Sequence, residues 1–364
     1  MGDEDVAPVL EICHRLDGVP LALELAAARV DVLGVRGLAA RLDDRFAVLT
    51  SGRRTALPRR QTLRAAMDWS YEVLPKIEQL ILRRVAVFQG DFTIDAATAV
   101  ASDDHIDAAY VFEGVANLAT KSLISTDISS DLTHYRLLDT TRAYVLEKLS
   151  ESGEVEEARR RHAEHCRELF RKAEAEATTR SAGDWGGYTR QIGHLRAALN
   201  WTFSDAGDVR LGVSLAVVAT DFWLTVSLLN ECCEWGVRAL AHLGTAERTH
   251  DEMVLQCGVG LALTYVRGMT PEARSALTKA LLLSEELGDF NHRFRALCGL
   301  WLFALRVVDF RGCLALARKY ELLAGTIDDP AASATADWVL GMSRYYLGEH
   351  AAAAANLQRA PRIR

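Results

Sequence analysis

A constant interval of 40 residues runs through the last third of the chain and constrains its fold more than any other feature. With Leu228, Gly268, Val308 and Gly348 as anchors, the residue five places on is always small: Cys233, Ala273, Cys313 and Ala353. Nine places on stand Val237, Leu277, Ala317 and Leu357, and twelve on stand Leu240, Ala280, Tyr320 and Ala360. Small residues where two backbones approach, with apolar ones beside them, mark paired helices stacked into a solenoid. A stacked unit buries its apolar face only against a neighbour, so further repeats are expected after Arg364.

The rest of the chain reads as helical with one exception. Val9, Ile12, Cys13 and Leu16 fall on one helical face. Gly18 closes that helix, and Pro20 opens the next at a position where its missing N–H costs nothing. The second helix presents Leu21, Leu25 and Ala28, and a third presents Val35, Leu38 and Leu42. Residues 50–58 form a polar, Gly- and Pro-marked connection. Beyond it come helical faces at Leu63, Met67, Tyr71 and Leu74, then Ile77, Ile81, Val85 and Phe88. Thr93 is a good N-cap for a helix over Ile94–Ala101, and Val111, Val115 and Leu118 make another. The exception is a β-hairpin: residues 123–126 and 133–137 flank the turn-forming Ser129-Ser-Asp131. Helices, one hairpin and a further helix describe a winged helix. The expected fold is mainly α, with a helical subdomain over 1–55, a winged helix over 56–150, connector helices over 151–210 and paired-helix repeats over 211–364.

Composition narrows the class of function. Hydrophobic residues make up 49% and charged ones 25%, which excludes a disordered chain. The 42 basic and 49 acidic residues give −7, a field that opposes non-specific attraction to phosphate backbones. The first residues lack a charged-then-apolar leader pattern. The most apolar stretch, Leu211 to Leu229, carries Asp221 and several hydroxyls, so no membrane span is expected. Seven scattered cysteines at no framework spacing fit free thiols, and the expected location is the cytoplasm.

The last repeat, with Leu340-Gly341, Tyr345, Gly348 and Ala353, resembles the tetratricopeptide pattern. It departs from that pattern at Arg344, which stands where an aromatic is usual, and in its longer period. Gly18-Val-Pro-Leu-Ala-Leu23 resembles the GLPLAL segment of the STAND-class (NB-ARC-like) signalling ATPases. The segments Arg60–Tyr71, Val87–Phe92 and Tyr135–Tyr144 look like successive signatures of the bacterial transcriptional-regulator branch. In that branch an ATPase is joined to a winged helix and tetratricopeptide repeats, and often to a DNA-binding domain. The resemblance implies that residues 1–55 are the helical end of the nucleotide-binding module. It places Gly18 and Pro20 at the nucleotide pocket. The family's Met-His-Asp motif falls on Leu137, Leu138 and Asp139, so only Asp139 carries over and phosphate sensing by a histidine is lost.

No GxxxxGK[ST] occurs anywhere, and a phosphate cradle needs that turn with its lysine. Nor does an apolar strand end in a carboxylate. The chain by itself is therefore not expected to be an enzyme or to hold a cofactor; ADP or ATP with Mg²⁺ would belong to the full-length protein. Either a P-loop lies upstream of Met1, which is the expectation, or the chain is a degenerate homologue. The implied role is regulatory: repeats bind a protein, peptide or small effector, and the winged helix relays this to an upstream ATPase core. DNA would be contacted through another domain. The rivals are a stand-alone interaction scaffold and direct DNA binding by the winged helix.

Other features read more simply. His162 with Cys166 has i, i+4 spacing, with His165 between, but two ligands and a neighbour do not close a metal site. Arg53, Arg54, Arg59, Arg60 and Arg64 form the one basic cluster, either a phosphate contact or a solvated linker facing carboxylates such as Asp43 and Asp44. Cys232-Cys233 would close a strained ring as a redox pair and Cys233 is explained by the repeat; Gly258-Val-Gly260 sits inside a helix, follows no strand and so is no dinucleotide motif. The tryptophans are core, with one or two on a concave face.

Overall fold

The computed structural model describes residues 6–16, 20–42, 63–128, 132–177, 186–243 and 250–360. The chain forms two compact units, Met1–His165 with Arg190–Trp201, and Cys166–Thr189 with Thr202–Arg364.

The first unit begins with α1 (Val6–Arg15) and α2 (Pro20–Ala39). Gly34 adopts φ 66° and ψ 162° inside α2, which breaks it into the two short helices expected over this stretch. Then follow α3 (Leu63–Glu72), α4 (Lys76–Val85), β1 (Asp91–Phe92), α5 (Ile94–Ala101), α6 (Ala108–Thr120), β2 (Ser125–Asp127), β3 (His134–Arg136) and α7 (Asp139–Ser152). Thr93 caps α5, its hydroxyl accepting the Ala96 N–H. The expected hairpin is β2–β3, with Thr126 opposite Tyr135. A third strand joins it: β1 pairs with β3, Phe92 opposite Tyr135, to give the order β1-β3-β2. Helix, strand, two helices and two strands in this order make a winged helix. Its core joins Ile81, Val85, Phe92, Val100, Val111, Val115, Ile124 and Tyr144.

Ionic locks pin the edges of this core. Arg84, almost buried, donates to the Ala101 carbonyl and pairs with Asp103 at 2.7 Å and Glu154 at 2.8 Å. Arg83 meets the same Glu154 at 3.1 Å. The long helix α8 (Val155–Ala177) follows, laced by i,i+3 and i,i+4 pairs such as Arg160–Glu164 at 2.6 Å. His165 and Cys166 divide it between the units. Helix α9 (Ile192–Thr202) supplies the remaining part of the first unit, where Trp201 donates its indole N–H to Glu156.

The second unit is an array of helix pairs: α10 (Val209–Thr225) with α11 (Leu229–His242), α12 (His250–Val266) with α13 (Pro271–Leu287), α14 (Phe290–Arg306) with α15 (Phe310–Ala324), and α16 (Pro330–Tyr346) with α17 (His350–Arg359). Each helix packs on the next. The three later pairs keep the 40-residue period, and their turns carry left-handed residues at the expected anchors, Gly268, Val308 and Gly348. In the first pair the left-handed residue is Ser227 rather than Leu228, so the register shifts by one. Burial follows the shifted register. Val237, expected inside, is 53% exposed, whereas Gly236 and Ala239 are buried. Counting from residue 227, the small crossing positions are Cys232, Ala273, Cys313 and Ala353, all at most 2% exposed.

Candidate functional site

Two of the three expected nucleotide residues, Pro20 and Asp139, fall at helix starts in the first unit. Pro20 opens α2 and Asp139 opens α7, where its carboxylate faces the guanidinium of Arg142. Gly18 lies outside the described residues, as do Arg53, Arg54, Arg59 and Arg60 of the basic cluster. Arg64 is committed to Glu147 at 2.8 Å. His162 packs edge-on against Phe88 and His194, with ring centroids 5.2 and 5.5 Å away, which is an aromatic core rather than a ligand set. Gly258 and Gly260 sit inside α12, pressed against Thr220 and Leu277.

The chemistry concentrates in the second unit. A cavity of about 720 Å³ is lined by Glu174 of α8, Asp221 of α10, His250 of α12, and Asp289, His292 and Arg295 of α14. Its floor follows from helix starts. The first helix of a pair needs its leading N–H groups satisfied, and Asp208, Asp289 and Asp329 cap three of the four. The repeat therefore returns polar residues to one end of the array. Asp289 accepts the His292 backbone N–H at 2.8 Å, and its Oδ1 is 3.2 Å from His292 Nδ1. His250 Nε2 lies 4.0 Å from Asp289 Oδ2. The two imidazoles meet edge to face at 5.8 Å.

Charge in the cavity is partly compensated. Arg295 pairs with Asp221 at 2.6 Å, and that carboxylate outweighs burial to raise the guanidinium further. Glu174 is pushed up from the usual carboxylate range by burial and then by Asp221. Asp289 is held below its usual value, because the His292 N–H and the neighbouring imidazoles outweigh burial. Burial, with Arg295 adding to it, lowers His292 and favours neutral imidazole. The cavity walls hold Phe294 and Tyr320. Trp223, Trp235 and Trp301 are core, the last donating to Ser343.

This site was not read from the sequence. Its available signal was the repeat: His250 and Asp289 head successive first helices and so fall at the same end of the array.

Fold and site together define a helical protein with a winged helix and a tetratricopeptide-like array carrying a polar cavity. No family model matches the chain. A protein of Mycobacterium tuberculosis (strain ATCC 25618 / H37Rv) described as "Putative HTH-type transcriptional regulator" is 33% identical over 356 residues, 97% of this chain and 36% of that protein. An "Uncharacterized protein" of the same strain is 42% identical over 159 residues, 43% of this chain and 40% of that one. The chain spans little more than a third of the length of these curated relatives. Among solved structures, the STAND protein with a tetratricopeptide repeat sensor from Pyrococcus horikoshii aligns with 93% of this chain and 52% of its own, at 14% identity and TM-score 0.43. BtubC (BKLC) from P. vanneervenii aligns with 60% of this chain and 89% of its own, at 15% identity and TM-score 0.45. The chain is thus homologous, over nearly its whole length, to part of a mycobacterial protein described as an HTH-type transcriptional regulator, in agreement with the transcriptional-regulator resemblance carried by its motifs.

Proposed function

We propose that the chain is the regulatory and sensor portion of a STAND-type signal-transduction ATPase that acts as a cytoplasmic transcriptional regulator. The observation that carries this reading is similarity along 97% of the chain to part of a protein described as an HTH-type regulator. In it, residues 1–55 complete the nucleotide module, 56–150 form the winged helix, 151–210 connect, and the repeats over 211–364 bind a protein, peptide or small effector. Gly18 and Pro20 contribute to an ADP/ATP pocket and Asp139 carries over from the Met-His-Asp position. An effector switches such a protein only if it binds one arrangement better than the other. No helix among the described residues is long and apolar enough to cross a membrane.

The test is made on a full-length protein with its P-loop lysine in place. ADP should bind, substitution of that lysine by alanine should abolish binding, and removal of residues 209–364 should change nucleotide turnover. A full-length protein without ADP or ATP affinity overturns the reading and favours a stand-alone scaffold.

Direct DNA binding is the weaker rival on charge grounds. Helix α6 occupies the place of a recognition helix, yet it exposes Tyr110, Phe112 and Glu113 and contains no lysine or arginine. A flat salt titration against duplex DNA is expected; a steep one would restore this rival.

A further inference from the structure

The cavity at the helix starts holds two imidazoles and a carboxylate whose ligand atoms all lie within 4.8 Å of one another. We infer that His250, Asp289 and His292 form a binding site for a divalent transition-metal ion of the zinc type.

The geometry is close to what such an ion needs. A tetrahedral ion with bonds of about 2.1 Å holds its donors roughly 3.4 Å apart. Asp289 presents Oδ1 3.2 Å from His292 Nδ1 and Oδ2 4.0 Å from His250 Nε2, one oxygen toward each imidazole. Asp289 Oδ1 is engaged by the His292 backbone N–H, while Oδ2 faces His250. The capping bond thus orients the carboxylate, as a supporting hydrogen bond does for a metal ligand. His250 is an exposed side chain, so its ring can rotate toward the other two donors.

The surroundings favour a cation. Glu174, Asp221, Asp289 and Asp329 line the cavity against Arg171 and Arg295. Arg295 is neutralised by Asp221 and Arg171 pairs with Glu168, which leaves an acidic balance. Two nitrogens and one oxygen select a borderline ion over Mg²⁺ or Ca²⁺, which prefer oxygen donors. Three protein ligands leave a fourth position for water or a donor atom from a bound molecule. The ligands come from two successive repeats, so the ion would clamp α12 to α14. This inference stands apart from the sensor reading, because metal binding and nucleotide binding are measured separately.

The test uses the untagged 364-residue chain, stripped of metal and titrated with Zn²⁺ by calorimetry and Co²⁺ by visible absorption. One equivalent should bind, with a d–d spectrum and no thiolate-to-cobalt charge-transfer band. His250→Ala and His292→Gln should each weaken binding by roughly a hundredfold. Circular dichroism of the metal-free variants should match the parent, and the exposed His250 position keeps the test decisive if His292→Gln does not fold. Absence of saturable binding overturns the inference. So does unchanged affinity in His250→Ala, or a thiolate band, which would assign the ion to one of the seven free cysteines.

Discussion

His162 and His194 meet edge to face in the interior of the first unit, their ring centroids 5.5 Å apart. His194 is held as one tautomer: Gln89 donates its backbone N–H to Nδ1 at 3.3 Å, so Nε2, 2.8 Å from the Asp91 carbonyl, carries the proton. A second proton on Nδ1 would turn the Gln89 contact into two opposed donors. The neighbours add to this. Burial lowers both histidines, and the Arg142 guanidinium, bound to the Phe88 carbonyl, lowers both further.

The sign of the pH dependence follows. Both rings are neutral in the fold but protonate near pH 6.5 in the unfolded chain. Their contribution is complete above about pH 6.5 and is lost progressively as pH falls below it, because the unfolded chain takes up protons that the buried rings resist. Urea midpoints measured between about pH 7.5 and 5.5 should fall, and His194→Gln should remove part of the slope. A midpoint constant across that range would contradict the buried neutral pair.

Val308 is left-handed, with φ 65°, at the turn where the neighbouring repeats have Gly268 and Gly348. A β-branched residue there is strained by about 1–2 kcal/mol. Its side chain is 67% exposed, so removing it sacrifices little packing. After the greater entropy of unfolded glycine is subtracted, Val308→Gly should stabilise the array by about 0.5–1 kcal/mol. A lowered melting temperature would argue against that turn.

Gly260 lies where α12 crosses α13. A Cβ there would come 2.7 Å from Leu277 Cγ and 3.0 Å from the Leu277 backbone nitrogen. The backbone atom cannot move aside, so Gly260→Ala should destabilise the second unit by about 1–3 kcal/mol. Ala273→Trp, at the buried crossing position of the same pair, should cost at least as much. Thermal melts that match the parent would refute the close crossing.

Arg84 ties α4 to the segment after α5 through Asp103 and to the start of α8 through Glu154. Both carboxylates sit below their usual range: burial opposes this, but hydrogen bonds, including those from Arg84, outweigh it. Arg84→Met would leave Asp103 without its cation and Glu154 with Arg83 alone, and should cost about 3 kcal/mol. Denaturant titration reads this directly, and a loss near zero would mean that water already screens the pair.

Much of the architecture is legible in the chain because the relevant signals are local. The spacing of Val111, Val115 and Leu118 reports α6, Thr93 reports the start of α5, and the turn-forming sequence Ser129-Ser-Asp131, itself outside the described residues, reports the hairpin. Two features escape local signals for different reasons. β1 is only two residues long, too short for any alternation, and exists because β3 offers it an edge. The one-residue shift in the first repeat is invisible because Cys232 and Cys233 suit the crossing position equally well. Burial of Gly236 and Ala239 resolves the register.

The amino-acid order by itself determined that this protein is built from helices paired at a 40-residue interval behind a winged helix, since propensity, capping and periodic apolar faces act over a few turns. Only the tertiary structure decided where function-bearing groups meet. His250 and Asp289 are 39 positions apart and unremarkable in sequence. They come within 4.0 Å because stacking returns the chain to the same end of the array once per repeat.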